Sequence, residues 1–338
     1  MPIKTTSVAA ALLLGLCMAV AVPAFGQSAA TPGTPAAAVP PVKSQVAVGT
    51  LPSRPIPGLV FAEVHMSELP LSGSLWSLME TADPFVTVDR MSNGGLYVGE
   101  PEMFGSHGSS GTQAGFLMDG LDLTDPERTG TPLLLAGADV FQSVGVAYSF
   151  PAPEVGGAGP TLVLVPRAPA AAWAGELAVS YVPNQFQARN DRAGAPSIAR
   201  FGSAGSGEIL LGGPVSGQVG LFVTGIGTVV RRFERGDPVA VDSRLASFFA
   251  HPSIQVSPSS RLRLIASVDG AIRPYPARAL FPDRNARGRD DYRHLHATWE
   301  HVSGGGSTWS ASAGYQAADI ATPDADAGAL SGVIERLL

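Results

Sequence analysis

The sequence predicts a compact α+β unit followed by antiparallel strands of the transmembrane β-barrel type. Three features carry that expectation. The 338 residues include 40 Gly and 29 Pro, a composition of many turns and little long helix. Only 15% of residues are charged, against about 25% in typical soluble domains, which fits surfaces that face something other than water. The second half of the chain alternates apolar and polar residues with a period of two, in runs separated by turns.

The N-terminus is read as an export signal, residues 1–26. Lys4 precedes the apolar run Val8–Val22, and Ala24 and Gly26 are small residues at the −3 and −1 places of a cut before Gln27. The run is shorter than the roughly 20 residues of a membrane-spanning helix. The only cysteine, Cys17, lies inside the signal after Leu16, which is not the small residue a lipid-anchor site needs. An exported chain without a further cysteine relies on packing and strand pairing rather than disulfides. Residues 27–58, rich in Ala, Pro, Thr and Val, bury too little to order themselves and read as a flexible arm. The net charge is −6 with no basic tail, so nucleic acid is not an expected partner.

Residues 59–166 read as a mixed unit of about 100 residues. Leu71, Leu75, Leu78 and Met79 have helical spacing, with Ser72 or Ser74 as a cap and Asp83-Pro84 as a stop. Short strands are expected in "FVTVDR", "GFLMDGLDLT", "VFQSVGVAYS" and "GPTLVLVPRA", with one short helix around Asp139–Ser143. Residues 167–338 contribute seven or eight strands. In Arg261–Gly270, Leu262, Leu264, Ala266 and Val268 oppose Arg261, Arg263, Ser267 and Asp269; in Tyr292–Val302, Leu295, Ala297 and Trp299 oppose His294, His296, Thr298 and Glu300. A soluble β-sandwich alternates as well. An exported soluble binding or adhesion module is therefore the alternative.

The stretch "FLMDGLDLTDPERTG" places carboxylates at Asp119, Asp122 and Asp125. A calcium loop of the EF-hand kind wants ligands at positions 1, 3 and 5, Gly at 6 and Glu at 12. Here they fall at 1, 4 and 7 and position 12 is Gly130. A strand, a Gly120-assisted turn and a second strand ended by Asp125-Pro126 fit better, with the aspartates bonding turn amides. His294 and His296 share a strand face and are read as polar lumen residues rather than metal ligands. His107 in "GSHGSSG" has no acid behind it and no nucleophile elbow. Gly156–Gly159 precedes a strand, not a helix, and makes no phosphate cradle. Asp290-Asp291 is expected in a turn or loop, and Arg231-Arg232 and Arg284–Asp290 as basic loop clusters. No catalytic residue, metal site or cofactor is assigned.

The order of these motifs resembles the plug domain and first barrel strands of TonB-dependent outer-membrane receptors, most nearly the Oar-like branch. Asp83-Pro84-Phe85-Val86 stands at the family's "PGV" turn. Leu117-Met118-Asp119-Gly120 stands at its "LDG", and Leu123-Thr124-Asp125, just after Asp122, at its "ITD". Gly157 and Gly159 open the final plug strand "GPTLVLV", and "ILLGGPVSGQVGLFVTG" resembles the hairpin that begins the barrel. The resemblance implies a plug domain followed by an incomplete antiparallel β-barrel in the outer membrane of a Gram-negative bacterium. It implies outer-membrane lipid as a partner, and a small ligand of the siderophore, vitamin or oligosaccharide class. It also implies a TonB-type energy transducer acting through the N-terminal arm. Departures accompany it. Family members have about 22 strands, and a barrel of eight has room only for side chains, so the chain reads as a truncated or partial form. The stretch "PRAPAA" replaces the family's "TKSGTN", no clear TonB box lies in residues 27–60, and "SGVIERLL" lacks the terminal aromatic.

Overall fold

The computed structural model describes residues 58–63, 66, 74–82, 84–88, 98–99, 102–126, 130–135, 137–148, 159–186, 200–233, 239–274, 287–324 and 328–337. The export signal, the arm up to residue 57, and Leu71, Ser72, Asp83 and Gly157 lie outside the described residues.

The first part of the chain runs through β1 (Gly58–Ala62), helix α1 (Leu75–Ala82), β2 (Val86–Val88), β3 (Phe104–Ser106), β4 (Gly115–Met118), β5 (Leu121–Asp122), β6 (Phe141–Ala147) and β7 (Thr161–Pro166). Ser74 caps α1: its hydroxyl accepts from the Trp76 amide at 3.1 Å, satisfying a donor that the first helical turn leaves free. The helix buries Leu75, Trp76, Leu78 and Met79. β2 and β3 form a small ribbon, and the other five strands a sheet in the order β1-β6-β7-β4-β5. Only the β4–β7 pair is parallel. The short helix expected around Asp139–Ser143 is instead a single 3-10 turn, Ala138–Val140, running directly into β6. Phe141, Val144 and Val146 are needed in the sheet's core, and the sheet takes them.

The second part is one antiparallel meander of eight strands. These are β8 (Ala174–Val182), β9 (Arg200–Pro214), β10 (Val219–Phe233), β11 (Ala240–Ser257), β12 (Ser260–Pro274), β13 (Arg287–Val302), β14 (Thr308–Asp324) and β15 (Gly328–Leu337). Each pairs with its sequence neighbours, and among the described residues no ladder joins β8 to β15, so the sheet is open. Three hairpin turns at one end are short, spanning 215–218, 258–259 and 303–307. The connections at the opposite end include 183–199, 234–239 and 275–286. No helix among the described residues is long and apolar enough to cross a membrane.

The polarity of this sheet is inverted. Across five strands the register aligns Thr224, Phe249, Ser267, His294 and Gln316, and all five are buried. One residue away, Val223, Ala250, Ala266, Leu295 and Tyr315 align on the other face, where Leu295 is 54% and Tyr315 40% exposed. Four of the five covered side chains in this row are polar, and the large apolar side chains of the neighbouring row are left outside. The covering is the first part of the chain. Leu210, Phe222, Phe249 and Ile265 of the meander join Phe61, Trp76, Phe104, Phe116, Phe141, Leu162 and Leu164 in one core. A second cluster packs Leu133 and Leu135 on Leu245, Ala271, Tyr292 and Ala318.

Two glycines differ in what they tolerate. At Gly120, φ is +88° and an added Cβ would meet open space. At Gly159 a Cβ would lie 2.6 Å from the Gln113 carbonyl oxygen. Gly120→Ala is therefore expected to cost only the left-handed penalty of about 1–2 kcal/mol. Gly159→Ala is expected to cost more, because backbone must move. Chemical unfolding of the two variants side by side checks the order.

Candidate functional site

The residues with chemistry to offer lie where the meander meets the five-stranded sheet. β4 and β5 are joined by Asp119 and Gly120 alone, with φ of +50° and +88°. Two central residues of positive φ make a type I′ hairpin, for which Asp-Gly is a favoured pair. The turn aims the Asp119 carboxylate at the meander. There Arg263 of β12 donates to it at 2.8 Å and to Glu300 of β13 at 2.8 Å. All three side chains are less than one-fifth exposed. Thr298 donates to the second oxygen of Asp119 at 3.3 Å. That uses the only hydroxyl proton of Thr298, so His296 Nε2 at 2.8 Å and Ser312 at 3.0 Å must donate to it.

Two further ties flank this one. Asp269 of β12 is fully buried, accepting from Ser247 at 2.6 Å and from the Leu135 amide at 3.4 Å. His251 Nδ1 lies 2.7 Å from the Arg167 carbonyl and must be its donor, since a carbonyl only accepts. Arg263, Asp269 and His251 thus hold Asp119, Leu135 and Arg167. A cleft of about 410 Å³ adjoins, lined by Glu63, Arg167, Glu176, Leu210 and Phe222 among others, with Glu63 and Arg167 paired at 3.2 Å.

Of the residues singled out in sequence, Asp122 makes the turn bond to an amide, accepting from Thr124 N at 2.9 Å. Asp119 does not; its ion pair corrects that expectation, because the hairpin tip turns its carboxylate away from its own backbone. The Thr124 hydroxyl accepts from the Phe116 amide at 3.0 Å. Asp125 is buried, its amide bonded to the Thr131 carbonyl at 2.8 Å. Leu117 pairs across the hairpin with Asp122, Pro84 lies in the turn before β2, and Gly159 just precedes β7. These residues do not converge on one pocket. Asp290 and Asp291 sit in β13 rather than a turn. Asp290 is buried on Arg273 and Asp291 lies on the opposite face with Arg289. Arg231, Arg232 and Arg287–Asp290 are likewise strand residues, not loop clusters. His301 bonds Ser260 at 2.8 Å and stacks on Trp299. Sequence reasoning missed Arg263, Asp269, His251 and Glu300 as partners of the first sheet. Their polar places in alternating strands were the available signal.

No protein-family model matches the chain, and no curated protein matches it. Solved structures do. A variant of the ferric enterobactin receptor PfeA from Pseudomonas aeruginosa in complex with enterobactin matches with TM-score 0.63 and 14% identity, over 83% of this chain and 45% of that one. The siderophore receptor PirA from Acinetobacter baumannii matches with TM-score 0.61 and 10% identity, over 83% and 44%. The ferripyoverdine receptor of the outer membrane of P. aeruginosa, bound to ferripyoverdine, matches with TM-score 0.58 and 13% identity, over 80% and 35%. The fold resembles part of these receptor structures, and the chain spans less than half the length of the receptors it matches. These matched structures are receptors rather than enzymes.

Removing Arg263 strands two buried carboxylates. Arg263→Ala is expected to destabilise the packed pair of sheets by about 3–5 kcal/mol. Asp119→Ala, which leaves the Arg263–Glu300 pair, should cost less. A double-mutant cycle read by unfolding, with limited proteolysis of residues 58–166, checks this. Burial pushes the Asp139 carboxyl above its ordinary value, Arg167 opposes the shift and Glu176 adds to it. With a raised folded value, the native state holds the proton longer than the unfolded one. Stability is therefore lost as pH rises from the ordinary aspartate range through the raised one. Asp139→Asn is expected to stabilise near neutral pH and to flatten that dependence in pH-resolved melting.

Proposed function

We propose that the chain is the plug and part of the barrel wall of a TonB-dependent receptor-like protein of the outer membrane, serving uptake of a small ligand. The observation that carries this is the inverted meander: apolar side chains outside, polar ones covered by the first sheet. A soluble sandwich would bury the opposite face. The outward row of β10, from Val219 through Leu221, Val223, Gly225 and Gly227 to Val229, has no charge until Arg231. Its ten rises of about 3.3 Å, tilted by about 40°, span about 25 Å, the height of the lipid-facing band of a membrane barrel. Trp173, Trp299 and Trp309, each exposed, lie near the short-turn end, as interfacial aromatics do.

In this reading residues 59–166 are the plug and residues 167–338 the wall. The short turns face the periplasm and the longer connections the exterior. The three ties at Asp119, Leu135 and Arg167 seat the plug. The residue 27–58 arm is where a TonB-type transducer would pull, and the ligand belongs to the siderophore, vitamin or oligosaccharide class. The neighbours that bind enterobactin and ferripyoverdine favour the siderophore class.

Expression of the full chain in a Gram-negative host, followed by fractionation and urea extraction, tests the membrane reading. The expected result is retention in the outer membrane in urea. Recovery as a soluble periplasmic monomer would overturn it.

A further inference from the structure

Two imidazoles of the meander take part in the ties to the first sheet, each through one nitrogen only. His251 of β11 and His296 of β13 share a row of the inner face, because Ala250 stands opposite Ala266 and the neighbouring Ile265 opposite His296. Both are buried, at 2% and 1% exposure. His251 Nδ1 donates to the Arg167 carbonyl at 2.7 Å. His296 Nε2 donates to Thr298 at 2.8 Å, and the proton of Thr298 goes on to Asp119. The other nitrogen of each ring, Nε2 of His251 and Nδ1 of His296, is buried and meets no hydrogen-bond partner among the described residues. The charged groups facing the pair are Arg263 of β12 and Asp119 of the β4–β5 hairpin, with Glu300 of β13 behind Arg263. His294 of β13 lies beside His296, ring centroids 6.0 Å apart. Arg167 meets His251 with its carbonyl and turns its guanidinium to Glu63.

A neutral imidazole has one N–H, and here each has its acceptor. An imidazolium has two. Its second N–H would be buried without an acceptor, and its charge would be buried near Arg263. Asp119 opposes that repulsion, but its two oxygens are already turned to Arg263 and Thr298. Neither bond needs histidine for its own sake, since an Asn or Gln amide donates as well and gains no proton. Resting on the plug-and-wall reading above, we infer that His251 and His296 make the seat of the plug acid-labile: both rings must be neutral for the plug to be held, and proton uptake frees it from β11 and β13. The stability they lend is present above the ordinary histidine value of about 6.5 and is lost as pH falls through the range below it. That sense is opposite to the effect of Asp139, which weakens the fold as pH rises. Exposed carboxylates take up protons only near pH 4, about two units lower than histidine.

The test uses the full chain inserted in zwitterionic bilayer nanodiscs, with insertion scored first by urea resistance. Hydrogen exchange is followed by mass spectrometry at about pH 7.5 and about pH 5.5, one unit to either side of the ordinary histidine value, each rate divided by the intrinsic rate at that pH. The reporter is the Leu135 amide, which donates across the seat to Asp269, and the β10–β11 ladder is the control. The expected result is that protection of Leu135 falls at the lower pH by about tenfold for each imidazole, while the ladder holds. His251→Asn with His296→Gln keeps both donors and removes both titrating rings, so its Leu135 protection should be the same at the two pH values. His301→Gln, outside the seat, should keep the full acid loss. Unchanged protection in the unsubstituted chain, or an equal acid loss in the double variant, would overturn the inference while insertion stands. Should the double variant not seat at the higher pH, the single variants are read, each expected to lose about tenfold of the response; a full response in both overturns the inference equally. Failure to insert would overturn the membrane reading itself.

Discussion

A sheet immersed in hydrocarbon can show lipid only apolar side chains, and every backbone group in it must be paired. Given period-two alternation, the opposite face is then polar, and something inside must meet it. On the membrane reading proposed above, much of the remaining structure answers that demand. Ser247, Ser267, Asp269, His294, His296 and Thr298 are all buried. Burial of such groups is tolerable only where hydrogen bonds replace water. The first part of the chain supplies several of them through a carboxylate at a hairpin tip, one backbone amide and one carbonyl. It also supplies apolar cover where the inner face is apolar, at Phe222, Phe249 and Ile265. The two parts therefore share a core, and neither has its present buried surface without the other.

Much of the strand architecture was legible because alternation is written locally. The faces of β12 and β13 follow directly from which residues are apolar. β15 left no such mark. Its Gly, Ala and Ser positions in "GALSGVIERL" blur the period, and only pairing with β14 reveals it. The 3-10 turn at Ala138–Val140 was overread as a helix for a related reason: Asp139 and the following apolar residues satisfy a helical pattern over one turn, while the sheet's need for Phe141 and Val144 is not local.

The site was less legible than the fold. Asp119-Gly120 marks a turn in sequence, and the turn type follows from the pair. That its carboxylate reaches a residue 144 positions later depends on how one sheet lies against another. The alternation marked Arg263 and Asp269 as polar-face residues but not as partners of anything. Long-range ion pairs leave no spacing rule behind, whereas caps and Asx turns, such as Ser74 and Asp122, act within three residues and can be read directly.

The sheet order has a mechanical consequence. β1 is an edge strand, held by five residue pairs to β6, and the Asp119 hairpin lies at the far edge beyond β7 and β4. Gly58 is at the end of β1 away from Glu63, whose carboxylate meets Arg167. A force applied through Gly58 toward the short-turn end doubles back along β1. It opens the pairs one after another from Gly58–Ala147, as a zipper opens, rather than breaking all five together in shear. The first strand can peel while the ion pair at the opposite edge still holds the rest of the unit against the wall.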